Sequence, residues 1–479
     1  MMRSLFSGVS GLKVHQTKMD VIGNNIANVN TVGFKSSSVT FTDIFYQTSQ
    51  SASGPNAATG AGGQNAKQIG LGAAMGAIAV NITGQGGSQR TDNPFDLMIN
   101  GDSFFVVNKG GTNYFTKAGN FNVDEAGTLV NSAGYPVMGW QADSDGKIQK
   151  ERVSALHVMA SENMSTPPDA TTESTFFGNI NEEDDMFKKD PPNDYIPIQM
   201  SFYDSLGYEF QAMFHVRRGN RPATGDERDY TIDLASLTKE GTVIAEATKD
   251  ATTGAYTYIP GFTQQTVKFH TGEDTLPANG NVAAVEPGGL ISVGGTAGTK
   301  EVSFDFSAIT GGFVGGQTAD ALGAVKPINV NMSGLTNYGS ASTVDTKTGN
   351  SEGIGKGKAP GEMSRLGVQT DGKIVASYTN GDQRILGQIA VAKFANAAGL
   401  EKIGENLYAE TLNSGKFNGI GEDITADGGK FTTGVLEMSN VDLSTEFVDM
   451  ITTQRGFQAN SRIITVSDSM LEELINLKR

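Results

Sequence analysis

The chain has 479 residues, no cysteine and a formal net charge of −16. That length exceeds one compact core and sets a prior of about two to four domains. The acidic balance argues against nucleic acid as a partner, because its binders present basic faces. The missing cysteines exclude disulfides and thiolate metal sites. Glycine is abundant at 61 residues and charged residues make up only 18%, a composition that points to β-structure with many tight turns in the middle of the chain.

The N-terminus carries one Arg in Met1–Ser4 and no apolar run after it, so no secretory signal is expected. Leu5, Val9, Leu12, Met19, Ile22 and Ile26 recur at helical spacing and predict an amphipathic helix. It ends in a run of small amides and glycine from Asn24 to Lys35, residues that bond their own backbone and tolerate left-handed turns. Within that run Ala27, Asn28, Thr31, Gly33, Phe34 and Lys35 resemble the signature Ala-Asn-x-x-Thr-x-Gly-Phe-Lys of the bacterial flagellar rod and hook proteins. In that family the motif follows such a helix.

Residues 48–63 are almost entirely Ser, Ala, Gly, Asn, Gln and Thr, which reads as a linker unable to bury enough apolar area to fold alone. The preceding run from Phe41 to Gln47 reads as the stem of a β-arm, similar to an extension of the distal rod protein. The most apolar window, 69–82, is rich in Gly and Ala and falls short of a bilayer span. No membrane insertion is expected.

From Asp96 to Trp140 the pattern turns to strands. Leu97-Met98-Ile99 precedes Asn100-Gly101, a dipeptide that predicts a hairpin into Phe104–Val107. Residues 96–139 resemble the central β-domain shared by rod and hook proteins. Its counterpart returns after a long gap: Asp371-Gly372 and Asn380-Gly381 bracket Ile374–Tyr378, and Ile385–Val391 completes a second strand pair.

The intervening 200 or so residues have their own character. Residues 196–216 read as two strands joined at Asp204-Ser205-Leu206-Gly207, and Phe202–Gly207 resembles the outer domain of hook proteins. Residues 230–306 alternate β-branched residues with turns, consistent with an outward β-domain. Glu182–Asp185 reads as a solvated acidic loop, lacking the spaced carboxylates and central glycine of a calcium site.

From Val441 to Leu477 two apolar lines run at helical spacing. One holds Phe447, Met450, Phe457, Ile464, Leu471 and Ile475, the other Val448, Ile451, Ile463, Val466, Met470 and Leu474. Two lines give a helix that can be covered on two sides, about 50 Å long. Asp442 is placed to cap it, Lys478 and Arg479 close it, and Gly456 suits a close helix approach. Ser439–Leu443 and Gln454–Asn460 also resemble the C-terminal signature of the rod and hook family.

A search for chemistry yields no active site. His15, His157, His215 and His270 are scattered and none stands at paired metal spacing. Residues 353–358 superficially suggest a phosphate loop, yet Glu352 and Ala359 occupy two of its defining positions, and a flexible junction is expected instead. No catalytic, cofactor or metal residues are assigned.

The resemblance implies a multidomain structural protein, not an enzyme. A helical coiled-coil assembly domain is expected from 1–40 with 435–479, a linker or β-arm from 41–75, an inner β-domain from 76–150 with 355–434, and an inserted outer β-domain from 151–354. It further implies self-assembly into the tubular flagellar hook, the flexible universal joint between rod and filament. The assembly residues would be the six motif positions together with Leu5, Leu12, Met19, Ile22, Phe447, Met450, Phe457, Ile464 and Leu471. Implied partners are copies of the chain, the distal rod, the hook cap, the hook–filament junction protein and the flagellar type III export apparatus. The implied location is extracellular, on the flagellum, without a cleaved signal. A distal rod protein is the alternative. An exported β-rich glycan-binding or hydrolytic protein is the alternative of another class, with Phe202, Tyr203, Tyr208 and Phe210 as its groove.

Overall fold

The computed structural model describes residues 2–55, 60, 62–143, 146–189, 193–219, 227–252, 255–270 and 285–477. Two helices bracket a mainly-β chain: α1, Met2–Ala27, and α2, Leu443–Asn476. The backbone divides into two compact units. The first comprises Met1–Met164, Ser364–Ser377 and Gln383–Arg479, the second Ser165–Met363 and Tyr378–Asp382.

The first unit is closed by segments distant in sequence. Ser88–Arg90 pairs with Val435–Glu437, and Leu97–Asn100 pairs with Lys430–Thr433. A five-stranded sheet runs in the order Val391–Ala392, Phe104–Lys109, Thr112–Thr116, Leu407–Ala409, Glu401–Gly404. In a further sheet Ser154–Ala155, Met138–Gln141, Gln383–Ile389 and Lys373–Tyr378 are successive neighbours. Aromatic side chains from both ends of the chain fill the interior. Phe115 meets Phe394 edge-on at 4.7 Å, and Phe105 stacks on Phe431 at 5.6 Å. The sole tryptophan, Trp140, donates its indole N–H to the carbonyls of Glu151 and Ile420.

Two local expectations are corrected here. Asn100-Gly101 does not turn Leu97–Asn100 into a hairpin with Phe104–Lys109, since the two strands pair with Lys430–Thr433 and with Thr112–Thr116 respectively. Gly101 has φ 141°, far from the left-handed value that the tight hairpin turn needs. The stretch read as a linker is partly strand. Ser37–Asp43 pairs with Ala73–Val80, Tyr46–Gln50 with Lys67–Gly70, and Ser53 bridges Gln64. Backbone ladders need no apolar composition, so a polar sequence still forms this arm.

In the second unit the long strands Tyr195–Tyr203, Glu209–Arg218 and Glu227–Lys239 are adjacent in a seven-stranded sheet, and Glu301–Phe304, Ile328–Thr336, Glu173–Asn179 and Asp345–Thr348 form a four-stranded one. Strict burial alternation along Tyr195–Tyr203 sends Ile196, Ile198, Met200 and Phe202 inward, as expected of a strand covered on one face. The turn after it is fixed by Asp204, whose Oδ1 accepts from the backbone N–H groups of Leu206 and Tyr208. Phe202 stacks on Phe210 at 5.4 Å and on Phe306 at 4.7 Å, fully buried. Of the four candidate groove residues Phe202 and Phe210 are therefore core, while Tyr203 is half-buried and Tyr208 is exposed with the Lys239 ammonium over its ring.

The glycine-rich loop 353–358 is a correction of another kind. It is tied to 169–173: Lys358 and Asp169 exchange backbone hydrogen bonds, Thr172 donates to the Gly355 carbonyl, and the Thr171 hydroxyl donates to Lys356 O. Lys358 also pairs with Asp382 at 2.8 Å.

Candidate assembly surface

α1 and α2 pack against each other in antiparallel sense. Going down α1, Ser4 meets Ser467, Gly8 meets Ile464, Gly11 meets Asn460, His15 meets Gly456, Lys18 meets Asp449 and Asn25 meets Glu446. The seam consists largely of small and polar residues. A Cβ built at Gly11 would lie 2.8 Å from the Asn460 side chain, and one at Gly456 2.7 Å from the His15 ring, so the helices approach where side chains are missing. Thr453 and Ser467 are the two buried side chains of α2. Asp442 caps the helix by accepting from the Ser444 N–H, satisfying one of the free donors of the first turn.

The seam also perturbs its titratable groups. Burial, then the neighbouring Lys18 charge, pushes the His15 imidazole down. Burial pushes the Glu446 carboxyl up, against the hydrogen bond from Asn25.

The two apolar lines of α2 meet different fates. Met450, Phe457, Ile464 and Leu471 are half-buried, while Phe447 is 50% exposed. The second line is open along its whole length: Val448, Ile451, Ile463, Val466, Met470 and Leu474 are 43–61% exposed. On α1 Ile22 is buried and Leu5, Leu12 and Met19 are half-buried, while Met2, Phe6 and Val9 face out. A contiguous uncovered apolar line of this kind on a helix marks an interaction surface. The arm adds exposed Phe41, Ile44, Phe45, Tyr46, Ile69, Met75 and Ile78.

The motif after α1 builds the anchor of the helix pair. Ala27 ends the helix, the Asn28 amide donates back to Asn24 O, and the Thr31 hydroxyl donates to Asn28 Oδ1. Gly33 adopts φ 69°, and a Cβ there would fall 2.7 Å from the Ala118 nitrogen, so the position demands glycine twice over. Phe34 and Lys35 are buried, with the Lys35 ammonium 2.7 Å from Glu437 Oε1.

Sequence reasoning missed several partners. Asn25 is buried, donates to Ser37 O and Glu446 Oε1, and accepts from the Ser37 N–H. Glu437 and Asn440 answer the N-terminal motif from the other end of the chain. A buried amide or carboxylate beside a helix terminus was the available signal, but its partner lies hundreds of positions away. Among the described residues no three metal-capable side chains converge, and no helix is long and apolar enough to cross a membrane.

Comparison with known proteins places these features. Residues 5–35 match the family described as flagella basal body rod protein, 98–174 the flagellar hook protein FlgE/F/G D1 domain, and 432–477 the flagellar basal body rod FlgEFG protein C-terminal. The chain is 35% identical over 501 residues to the flagellar hook protein FlgE of Treponema pallidum, covering 100% of both chains. It is 34% identical over 494 residues to that of Borreliella burgdorferi, again covering 100% of both. The flagellar basal-body rod protein FlgG of Bacillus subtilis is 28% identical over 479 residues, with 100% of both chains covered. A chain whose paired terminal helices carry an open apolar line, and which matches hook proteins end to end, belongs to the flagellar hook protein FlgE family.

Proposed function

We propose that this chain is a structural subunit that polymerises with its own copies into the tubular hook, with the terminal helices forming an inner helical layer. The observation that carries this reading is the open line Val448, Ile451, Ile463, Val466, Met470 and Leu474 on α2. The intramolecular seam leaves these side chains about half in water, and covering the remainder of each is worth about 0.7–1.5 kcal/mol, half the value for full burial. A neighbouring subunit's helices, packed in coiled-coil fashion, would cover them. Contacts between unlike patches of one subunit type that fail to close generate helical tubes. The β-sheets of the first unit would stack around the helical layer, and the second unit would shape the curvature of the tube.

By the same reading the partners beyond the chain itself are the distal rod, the hook cap, the hook–filament junction protein and the flagellar type III export apparatus. The site of action is extracellular, reached without signal cleavage, and no catalysis is assigned. Negative-stain imaging and sedimentation of the purified chain across a concentration series test the proposal. Tubes above a threshold concentration are expected. A chain that stays monomeric at every concentration, alone and on hook seeds, would remove it.

A further inference from the structure

Three segments meet at one buried point in the first unit: 33–36 after α1, 81–87 on the return from the arm, and 437–440 before α2. The Lys35 ammonium donates to Glu437 Oε1 and to Gly84 O, both at 2.7 Å, and Gly86 N–H donates to the same Glu437 oxygen at 3.0 Å. Lys35 and Glu437 are each 1% exposed. Around them Gly33 N–H donates to Glu437 O, Ser36 N–H to Asn440 Oδ1, and the Asn440 amide to the carbonyls of Asn81 and Gly84. Lys402 closes the rim, donating to Lys35 O with its ammonium over the Phe34 ring. A Cβ at Gly86 would fall 1.8 Å from Met438 O, so the strand return and the α2 approach touch backbone to backbone.

A buried ion pair is a poor source of net stability, since desolvation offsets its attraction and an apolar pair of similar volume often serves as well. Here the offset is aggravated, because Glu437 Oε2 has no hydrogen-bond partner among the described residues. What an ion pair provides that an apolar pair does not is direction. Its atoms must align, and each further hydrogen bond excludes other arrangements. We propose that the Lys35–Glu437 pair is a positioning device. It fixes the angle at which the helix pair and the arm leave the β-domain, and it contributes geometry more than stability. The proposal rests on the assembly reading only for its consequence in the tube; the angle itself is a property of the single chain.

The absence of cysteine allows a direct test in the full-length monomer. Spin labels at Ser461→Cys on α2 and Asn122→Cys on the β-domain, both exposed, report the angle as a distance distribution. The native chain should give one narrow distribution. Lys35→Met with Glu437→Met should keep its melting temperature within about 4 °C of native yet broaden that distribution at least twofold, and any tubes it forms should vary in diameter. Lys35→Met alone, which strands a buried carboxylate, should lower the melting temperature well beyond the double variant. An unchanged narrow distribution in the double variant overturns the proposal. So does a double variant that melts as low as the single one, because the pair would then be a stabilising element. Failure of the native chain to polymerise would remove the assembly reading and leave this distance result standing.

Discussion

Gly456 of α2 lies against the imidazole of His15 of α1 so closely that a methyl group in its place would sit 2.7 Å from the ring. Glycine inside a helix costs about 1 kcal/mol relative to alanine, so the close approach must recover that loss. Gly456→Ala should therefore destabilise the helix pair by about 1–3 kcal/mol through overpacking, although it raises the intrinsic helix propensity. Protease trimming of the termini in the monomer checks this. Adding His15→Ala should restore protection, and equal resistance of Gly456→Ala and native chains would contradict it.

The open line on α2 predicts a separation of folding from assembly. Val466 is 51% exposed, so Val466→Glu should leave the melting of the monomer within about 0.5 kcal/mol of native. It should raise the threshold concentration for tubes more than tenfold, because a carboxylate would enter an apolar contact. Phe457→Asp, at a half-buried position beside Gly456, should instead loosen the helix pair itself. Sedimentation together with thermal melts distinguishes the two variants.

Lys117 gives an alkaline signature. Burial, and after it the Lys35 charge, lowers its ammonium from the ordinary 10.5 to about 8, although the ammonium donates to Gly101 O at 2.7 Å. The unfolded chain holds that proton up to about 10.5 and the folded chain only to about 8. Stability carried by this group therefore rises with pH across that window. Lys117→Met should abolish the rise and be more stable than native at pH 7 by about 1–2 kcal/mol. Denaturant melts at pH 7 and pH 10 read both effects.

His215 gives an acid signature in the second unit. It stacks on Tyr195 at 3.5 Å, meets Tyr256 and Tyr258 edge-on, and is lowered to about 4 by burial and then by the Arg217 charge. Its cross-strand neighbour Asp233 offers little relief, being engaged by Arg217 at 2.7 Å and by Gln264. The unfolded imidazole takes up a proton below 6.5, while the folded one resists until about 4. The stability of the neutral form is therefore complete above 6.5 and is lost progressively as pH falls through that window. His215→Gln should flatten the loss, as followed by tyrosine fluorescence against pH.

Much of the architecture was legible in local pattern. The α2 periodicity, its Asp442 cap and the turn at Asp204–Gly207 each depend on neighbours within a few positions, which is the range that sequence periodicity can see. The six-residue motif after α1 marked the anchor, with Gly33 as its clearest element. What stayed hidden depends on remote partners. Nothing near Asn100-Gly101 reveals that Leu97–Asn100 takes Lys430–Thr433 as its neighbour. Nor does sequence tell which apolar line of α2 turns to α1, because small seam residues such as Gly8, Gly456 and Ser467 carry no hydrophobic signal. The arm was obscured because its ladder is held by backbone groups that polar side chains do not advertise.

The pairing of Ser88–Arg90 with Val435–Glu437, and of Phe104–Lys109 with Val391–Ala392, sets a timetable for the chain's own birth. A ribosome releases the N-terminal strands first, yet their neighbours emerge only after more than two hundred further residues have been made. The first unit thus lacks its closing strands through most of translation, and contacts of such long range form slowly even afterwards. The second unit, whose strands pair within one contiguous stretch except for Tyr378–Asp382, can fold while the first waits. The newborn protein therefore spends its early life with the second unit free to close while the first holds only local pairings such as Phe104–Lys109 with Thr112–Thr116.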